Sequence, residues 1–127
     1  MSKNIFKGES GEKYTCEYLK QKGYSIIQTN YHSRYGEIDI IAENEDYIAF
    51  VEVKSRSSFK FSRATEIVNR AKRIKIIKTA YVYISQQNLN KQPRFDVSEV
   101  LISKEGKVKK LVYYENSFDT EEYDAFF

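Results

Sequence analysis

Apolar residues recur along this chain with two spacings, one typical of helices and one typical of strands. Residues 7–22 show the helical spacing, and Gly23 follows as a residue that readily adopts the left-handed conformation that ends a helix. A second helical stripe consists of Ala64, Ile67, Val68, Ala71, Ile74, Ile77, Tyr81 and Ile84. We therefore expect two helices, one near the start of the chain and one in its second half.

Five short segments with an apolar or alternating pattern predict β-strands. These segments are residues 24–29, 37–42, 47–54, 94–102 and 108–114. The polar residues 43–46 join the second and third strands as an antiparallel hairpin, and residues 31–35 are expected to form a loop. The element order αβββαββ predicts a single α/β domain over residues 1–116, followed by an acidic tail at residues 117–127 that frays.

Two of the predicted strands carry an acidic residue where a buried strand needs an apolar one. Asp39 lies among isoleucines, and Glu52 lies between two valines. Lys54 is two residues beyond Glu52, so a strand places both side chains on one face. Burying a carboxylate without a cation or strong donors costs several kcal/mol. Two carboxylates and an ammonium group suit metal-assisted phosphodiester hydrolysis, whereas a chance arrangement on a solvated face is the alternative.

Hard oxygen donors of this kind determine which cation we expect. Carboxylates prefer Mg²⁺ or Mn²⁺ to zinc, and one cysteine, Cys16, allows no internal disulfide and no cysteine zinc site. Lys54 would position the attacking water and neutralise charge that develops on the phosphate. Glu12 lies on the inward stripe of the first helix, where it either contacts its own first turn or points to the site.

The charge of the chain is concentrated in one stretch. The net charge is +3, but residues 54–78 contain nine cations and one anion, while residues 117–127 contain four acids and no base. A basic surface next to a candidate catalytic site favours a nucleic-acid partner, with a solvated lysine-rich helix face as the alternative. The candidate contact residues are Arg34, Arg56, Lys60, Arg63, Arg70, Arg73 and Lys75. For Arg56 a salt bridge is an equal alternative to a phosphate contact.

The remaining features are those of a compact soluble domain. Hydrophobic residues make up 41% of the 127 residues and charged residues 31%, and no apolar segment is long enough to cross a membrane. We therefore expect a cytoplasmic protein with no membrane partner. We expect His32 to be a surface residue, Asp96 to pair with Arg94 or a helix, and most tyrosines to pack internally, with Tyr35 the exception to watch.

Several short segments occur in this chain in a specific order. They are Gly11-Glu12, Tyr18-Leu19, Gly23-Tyr24, Asn30, Gly36-Glu37-Ile38-Asp39-Ile40-Ile41-Ala42, Phe50-Val51-Glu52-Val53-Lys54-Ser55-Arg56 and Arg94-Phe95-Asp96-Val97. In this order they resemble the bacterial YraN family, over about residues 8–115. That family has an endonuclease-like fold and is similar to archaeal Holliday junction resolvases and to the PD-(D/E)XK nuclease superfamily.

The resemblance implies a fold, a site and a substrate. The implied fold is a restriction-endonuclease-like core, in which helices flank a mixed sheet. The implied catalytic residues are Asp39, Glu52, Lys54 and the helix-borne Glu12, and the main chain of Val53 would add a carbonyl ligand to the metal. The sequence thus predicts a Mg²⁺- or Mn²⁺-dependent nuclease acting on DNA, with branched or junction DNA favoured through the resemblance. The alternative is a nucleic-acid-binding protein that keeps the fold without catalysis.

The expected substrate determines which oligomeric state we expect. Resolving a symmetric four-way junction in one binding event requires two cuts, and this chain has a single set of candidate catalytic residues. A resolvase would therefore be a homodimer, with residues 94–102 and 108–114 supplying an apolar face or a sheet edge. A monomer that nicks flaps or single strands is the competing expectation.

Overall fold

Five strands form one mixed sheet in the computed structural model, which describes residues 3–57 and 68–121, with side chains from residue 11 onward. The elements are α1 (Lys3–Gln21), β1 (Ser25–Ser33), β2 (Gly36–Glu43), β3 (Tyr47–Arg56), α2 (Arg70–Gln87), β4 (Gln92–Ile102) and β5 (Val108–Phe118). The strand order is β1-β2-β3-β4-β5, in which β3 and β4 are parallel and the other neighbours are antiparallel. Neither described helix is long and apolar enough to cross a membrane.

The two helices pack on opposite faces of this sheet, because β3 is apolar on both faces. Ile48 and Phe50 pack with Ile76, Ile77 and other residues of α2. Ala49 and Val51 pack with Leu19 of α1. These four positions of β3 alternate between the faces, which is the pattern of a central strand that is buried on both sides.

The hairpin that precedes the candidate site is longer than the pattern predicted. We expected a loop over residues 31–35, but Tyr31, His32 and Ser33 pair with β2 as part of β1. Only Arg34 and Tyr35 remain as the turn, since Ser33 pairs with Gly36. Tyr31 packs against the core, but His32 and Ser33 are polar, so the apolar alternation that marks a buried strand stops at this end of β1.

The second helix begins later than its apolar stripe suggested. Val68 is buried but lies before the helix, and Asn69 is the N-cap, whose side chain accepts a hydrogen bond from the backbone N–H of Lys72. A side chain that satisfies a free N–H of the first turn fixes the start of a helix. Tyr81 also differs from the prediction, because its side chain is exposed. Ala64 and Ile67 lie outside the described residues.

The last two strands also differ from the predicted boundaries. β5 continues to Phe118, whose ring stacks on Phe95 at a centroid distance of 5.2 Å, so the first two residues of the expected tail belong to the sheet. β4 is paired on both sides, by β3 and by β5, so it offers no free edge for dimerisation. The two strands were expected to supply an apolar face or a sheet edge; the edge is wrong for β4, whereas β5 lies at the edge of the sheet opposite β1. Residues 122–127 lie outside the described part of the chain.

Candidate functional site

Asp39 lies where the ladder between β2 and β3 ends. The last paired residues on this side are Ile40 and Val51. Beyond them, the Oδ2 atom of Asp39 accepts a hydrogen bond of 2.7 Å from the backbone N–H of Val53. A side chain thus satisfies a strand N–H that the partner strand leaves unpaired, and this contact fixes the position of the carboxylate.

Glu52 is next to Asp39 and is more deeply buried than a glutamate is expected to be. Its side chain is 12% exposed, and its Oε2 atom lies 3.7 Å from the ammonium group of Lys72 at the start of α2. Its Oε1 atom is buried and has no hydrogen-bond donor among the described residues. A buried carboxylate oxygen without a donor is energetically costly, so this atom requires a cation or a proton.

Burial changes the acidity of both groups. Burial raises the pKa of Glu52 to about 8, and the nearby charge of Asp39 acts in the same direction, while Lys72 opposes it. Burial also raises the pKa of Asp39, although the hydrogen bond from Val53 partly compensates. The two carboxyl groups are within hydrogen-bonding reach, so a proton on Glu52 is donated to Asp39. A metal ion bound by this pair would have to displace that proton, so its affinity would depend on pH.

A cavity of about 290 Å³ opens beside this pair. It is lined by Glu12, Asp39, Val53, Lys54 and Ser55. Glu12 reaches it because α1 lies close to β3, where a Cβ atom on Gly11 would collide with the hydroxyl of Ser55. The Oε1 atom of Glu12 accepts a hydrogen bond of 3.2 Å from the side chain of Asn30. The structure thus brings Glu12 to the same cavity as Asp39, whereas Glu52 is not among its lining residues.

The donors at the site have the chemistry that a hard divalent cation requires. Asp39 and Glu52 supply carboxylate oxygens, and the orphaned Oε1 of Glu52 is free to bind a cation. In the described part of the chain, however, no three acidic, histidine or cysteine side chains come together as a metal cluster. A metal here would therefore complete its ligands with main-chain carbonyl groups and water, as Mg²⁺ commonly does.

The residues that were predicted to contact nucleic acid lie in different surroundings. Arg56 lies 2.9 Å from the nearly buried carboxylate of Glu99, which favours the salt bridge over a phosphate contact. Arg73 donates to the carbonyl of Val68 and helps to close the start of α2. Arg34, Arg70 and Lys75 are exposed. Lys60 and Arg63 lie outside the described residues.

Asp96, the other acid on a buried strand, is part of a structural network. Its carboxylate is fully buried and accepts hydrogen bonds from the guanidinium of Arg94, the hydroxyl of Tyr113 and the backbone N–H of Asn116. These donors satisfy both oxygens, in contrast to Glu52. The prediction that Asp96 pairs with Arg94 is confirmed. His32 is exposed, as predicted, with Nε2 3.4 Å from Glu37.

Two lysines near the site did not enter the predicted set of contact residues. Lys72 lies beside Glu52, and the ammonium of Lys78 lies 5.5 Å from the centre of the Tyr35 ring. Both belong to the basic stretch that the sequence revealed. Helical spacing gave no signal for these contacts, because six residues correspond to about 1.7 turns and do not place two side chains on one side of a helix, and their partners depend on how α2 packs on the sheet.

The chain has many relatives that share a single family. The profile of a family described as "Uncharacterised protein family UPF0102" matches residues 11–100. The chain is 46% identical over 112 residues to a UPF0102 protein of Clostridium acetobutylicum, covering 87% of this chain and 92% of the relative. It is 53% identical over 100 residues to a UPF0102 protein of Clostridioides difficile, covering 78% and 88%. These matches confirm the family resemblance, and the chain belongs to the UPF0102 (YraN) family.

Proposed function

We propose that this protein is a divalent-metal-dependent nuclease that hydrolyses phosphodiester bonds in DNA. The observation that carries the proposal is the pair Asp39 and Glu52, two adjacent and largely buried carboxyl groups, one of which has a buried oxygen without a donor. A protein that only binds nucleic acid gains nothing from buried carboxylates, because they repel phosphate. A cation held by Asp39 and Glu52 would offset their negative charge and would give the buried Oε1 of Glu52 a partner.

Mg²⁺ or Mn²⁺ fits the residues present. Asp39, Glu52 and the carbonyl of Val53 would hold the ion, with Glu12 as a further acid at the same cavity. When bound, the ion lowers the pKa of a coordinated water and offsets negative charge on the phosphate.

The chain's own residues perform the other tasks. The backbone of Val53 holds Asp39 in place through a hydrogen bond of 2.7 Å, so its carboxylate does not have to be ordered when the ion binds. Lys54 lines the cavity and is exposed, so its ammonium group is available to a phosphate that enters there. Lys72 compensates part of the charge of Glu52.

The architecture is compatible with a restriction-endonuclease-like core. β2 and β3 pair as a hairpin whose ladder stops at Ile40 and Val51, and the acidic pair follows at that point. A crossover that includes α2 connects β3 to the parallel strand β4. Together with the resemblance to archaeal resolvases, this supports branched or junction DNA as the substrate and a homodimer as the active form. The free edge of β5 is the surface that we propose for dimerisation.

A non-catalytic nucleic-acid-binding protein is the second candidate, and one observation favours it. Glu12 is held by Asn30, and the described acids do not form a cluster of three. If this arrangement persists with nucleic acid bound, Asp39 and Glu52 are a structural pair that shares a proton.

A cleavage panel distinguishes the two candidates. Four-way junction, flap, single-stranded and duplex DNA are incubated with the protein in Mg²⁺, in Mn²⁺ and in EDTA. The nuclease proposal predicts cleavage of at least one substrate with either metal and none in EDTA. Binding of the same substrates without cleavage under any condition would contradict it and would favour the second candidate.

A further inference from the structure

The turn between β1 and β2 carries an aromatic ring with two cations on it. The guanidinium of Arg34 lies 4.9 Å from the centre of the Tyr35 ring, and the ammonium of Lys78 lies 5.5 Å from it. One guanidinium nitrogen of Arg34 also donates a hydrogen bond of 2.8 Å to the Tyr35 hydroxyl. The ring therefore holds two positive charges close together, although like charges repel each other.

α2 is fixed against this turn by close contacts. The hydroxyls of Ser33 and Thr79 are hydrogen-bonded at 2.9 Å. A Cβ atom on Gly36 would lie 3.4 Å from the Cβ of Lys75, so the glycine lets the helix approach the start of β2. Lys75 is thereby brought to the same corner as Arg34 and Lys78.

This corner has an excess of positive charge. In residues 11–57 and 68–121, no carboxylate forms an ion pair with Arg34, Lys75 or Lys78. Glu37, the next acid along β2, instead lies 3.4 Å from His32. Three cations that have no carboxylate partner among the described residues, two of them positioned by one ring, form a site that attracts an anion.

The distance from this corner to the acidic pair fits a nucleic-acid strand. Lys72, which is next to Glu52, and Lys78 are six residues apart in α2, a rise of about 9 Å. Gly36 and Asp39 are three residues apart in β2, which is about 10 Å. Phosphates of one strand of a duplex follow each other at about 3.4 Å along the axis, so a duplex whose axis runs along either path spans it with two to three nucleotides.

We propose that Arg34, Lys75 and Lys78 form a phosphate-binding subsite for a nucleic-acid strand, two to three nucleotides from the phosphodiester that reaches Asp39 and Glu52. Tyr35 is the positioning residue that holds Arg34 and Lys78. This subsite rests on the proposed function, because the strand it holds is the one that is cut. It contacts the backbone only, so it contributes affinity and register and not sequence preference.

The test is binding of labelled duplex DNA in EDTA at several salt concentrations, so that no cleavage interferes. The double variant Arg34→Gln/Lys78→Gln is compared with Lys20→Gln/Lys22→Gln, which removes the same charge from exposed positions at the end of α1, on the face of the sheet opposite α2. The subsite predicts that the first variant binds on the order of tenfold more weakly at 0.1 M salt. Its slope of log K against log salt should shrink by up to about 1.8, while the control changes little.

Two variants of Tyr35 test the positioning role. Tyr35→Phe keeps the ring and loses only the hydroxyl contact with Arg34, so it should retain most of the affinity. Tyr35→Ala loses the ring and should approach the affinity of the double variant. Equal binding by both Tyr35 variants and the wild type would remove the positioning role.

The outcomes separate the subsite from the nuclease proposal. If the double variant and its control have the same affinity and salt slope, or if the wild type binds no DNA, the subsite is overturned. If wild-type protein then still cleaves DNA in Mg²⁺, the nuclease proposal stands without it. If the double variant loses binding but the wild type never cleaves, the subsite stands and the nuclease proposal fails.

Discussion

The backbone N–H of Val53 donates a hydrogen bond of 2.7 Å to Oδ2 of Asp39, at the point where the strands that carry these residues no longer pair through their main chains. The carboxylate of Asp39 therefore accepts a hydrogen bond from the strand N–H where the ladder ends, and it also lies beside Glu52. An asparagine at position 39 can accept the same hydrogen bond, so a change of charge there is separable from a change of fold.

The pH dependence of stability is the first consequence. Without metal, the folded protein keeps the proton of Glu52, whose pKa is about 8, at pH values where the unfolded chain has lost it. The free energy of unfolding should therefore fall as pH rises from about 4.5 to about 8. Glu52→Gln removes this titration, so at pH 9 in EDTA it should be more stable than the wild type by about 2–4 kcal/mol. Urea unfolding at pH 5 and pH 9 measures the difference.

The control for this prediction is Glu45→Gln, the same chemical change in an exposed turn. Its free energy of unfolding should follow that of the wild type at both pH values. If Glu52→Gln has the same pH profile as the wild type, the acidity of Glu52 is not perturbed in the folded protein.

Metal binding should stabilise the wild type in a way that depends on pH. Mg²⁺ at ten times its dissociation constant adds about 1.4 kcal/mol, or roughly 3–6 °C in melting temperature for a domain of this size. The shift should be larger at pH 8.5 than at pH 6, because Glu52 must lose its proton to bind the ion. Asp39→Asn should lose the shift, whereas Asp46→Asn, in an exposed turn, should keep it. An equal shift in both variants would place the metal elsewhere.

The sequence predicted the helices and strands better than the residues at which they begin and end. The hairpin at residues 37–54 was predictable because apolar residues on both faces of β3 leave one arrangement that buries them. The last residues of β1 were missed because the apolar alternation stops at His32 and Ser33, and the pairing that makes this segment a strand is supplied by β2. The start of α2 was missed because an N-cap at Asn69 interrupts an apolar stripe that continues before it.

In the candidate site, too, some features could be predicted from the sequence and others could not. Asp39 and Glu52 stand out in the sequence because charge in an apolar strand is unusual, and the register of a hairpin makes them neighbours. The contact of Lys72 with Glu52 could not be predicted, because it joins residues from different elements and depends on the position of α2. Arg56 was ambiguous for the same reason, since its partner Glu99 lies on another strand.

Asp96 should be important for stability and not for metal binding. Asp96→Asn removes the buried carboxylate that pairs with the guanidinium of Arg94 and leaves the exposed Glu115, at 3.9 Å, as its carboxylate contact, which should lower the free energy of unfolding by about 3–5 kcal/mol. Adding Arg94→Met should recover part of this loss, because removing both charges leaves none unpaired. Urea unfolding of the single and double variants measures the coupling. If the double variant is less stable than Asp96→Asn alone, the two charges are not compensating each other.

Lys54 should affect the rate of cleavage and not the affinity for metal, because an ammonium group is not a ligand. Lys54→Ala should reduce the single-turnover rate at saturating Mg²⁺ by about 100-fold. The metal-induced shift in melting temperature should be retained. Lys54→Arg keeps the charge and should retain more of the rate. Loss of the metal shift in Lys54→Ala would mean that this residue supports the ligands instead of the phosphate.

The most direct test of the central claim is the cleavage rate of wild-type protein and of Asp39→Asn on the same DNA substrate, each in Mn²⁺ and in EDTA. The account predicts cleavage by the wild type in Mn²⁺ only, and a loss of at least about 100-fold in Asp39→Asn, whose fold and DNA binding remain intact. Undiminished Mn²⁺-dependent cleavage by the folded Asp39→Asn variant, or no cleavage of any substrate by the wild type, would contradict it.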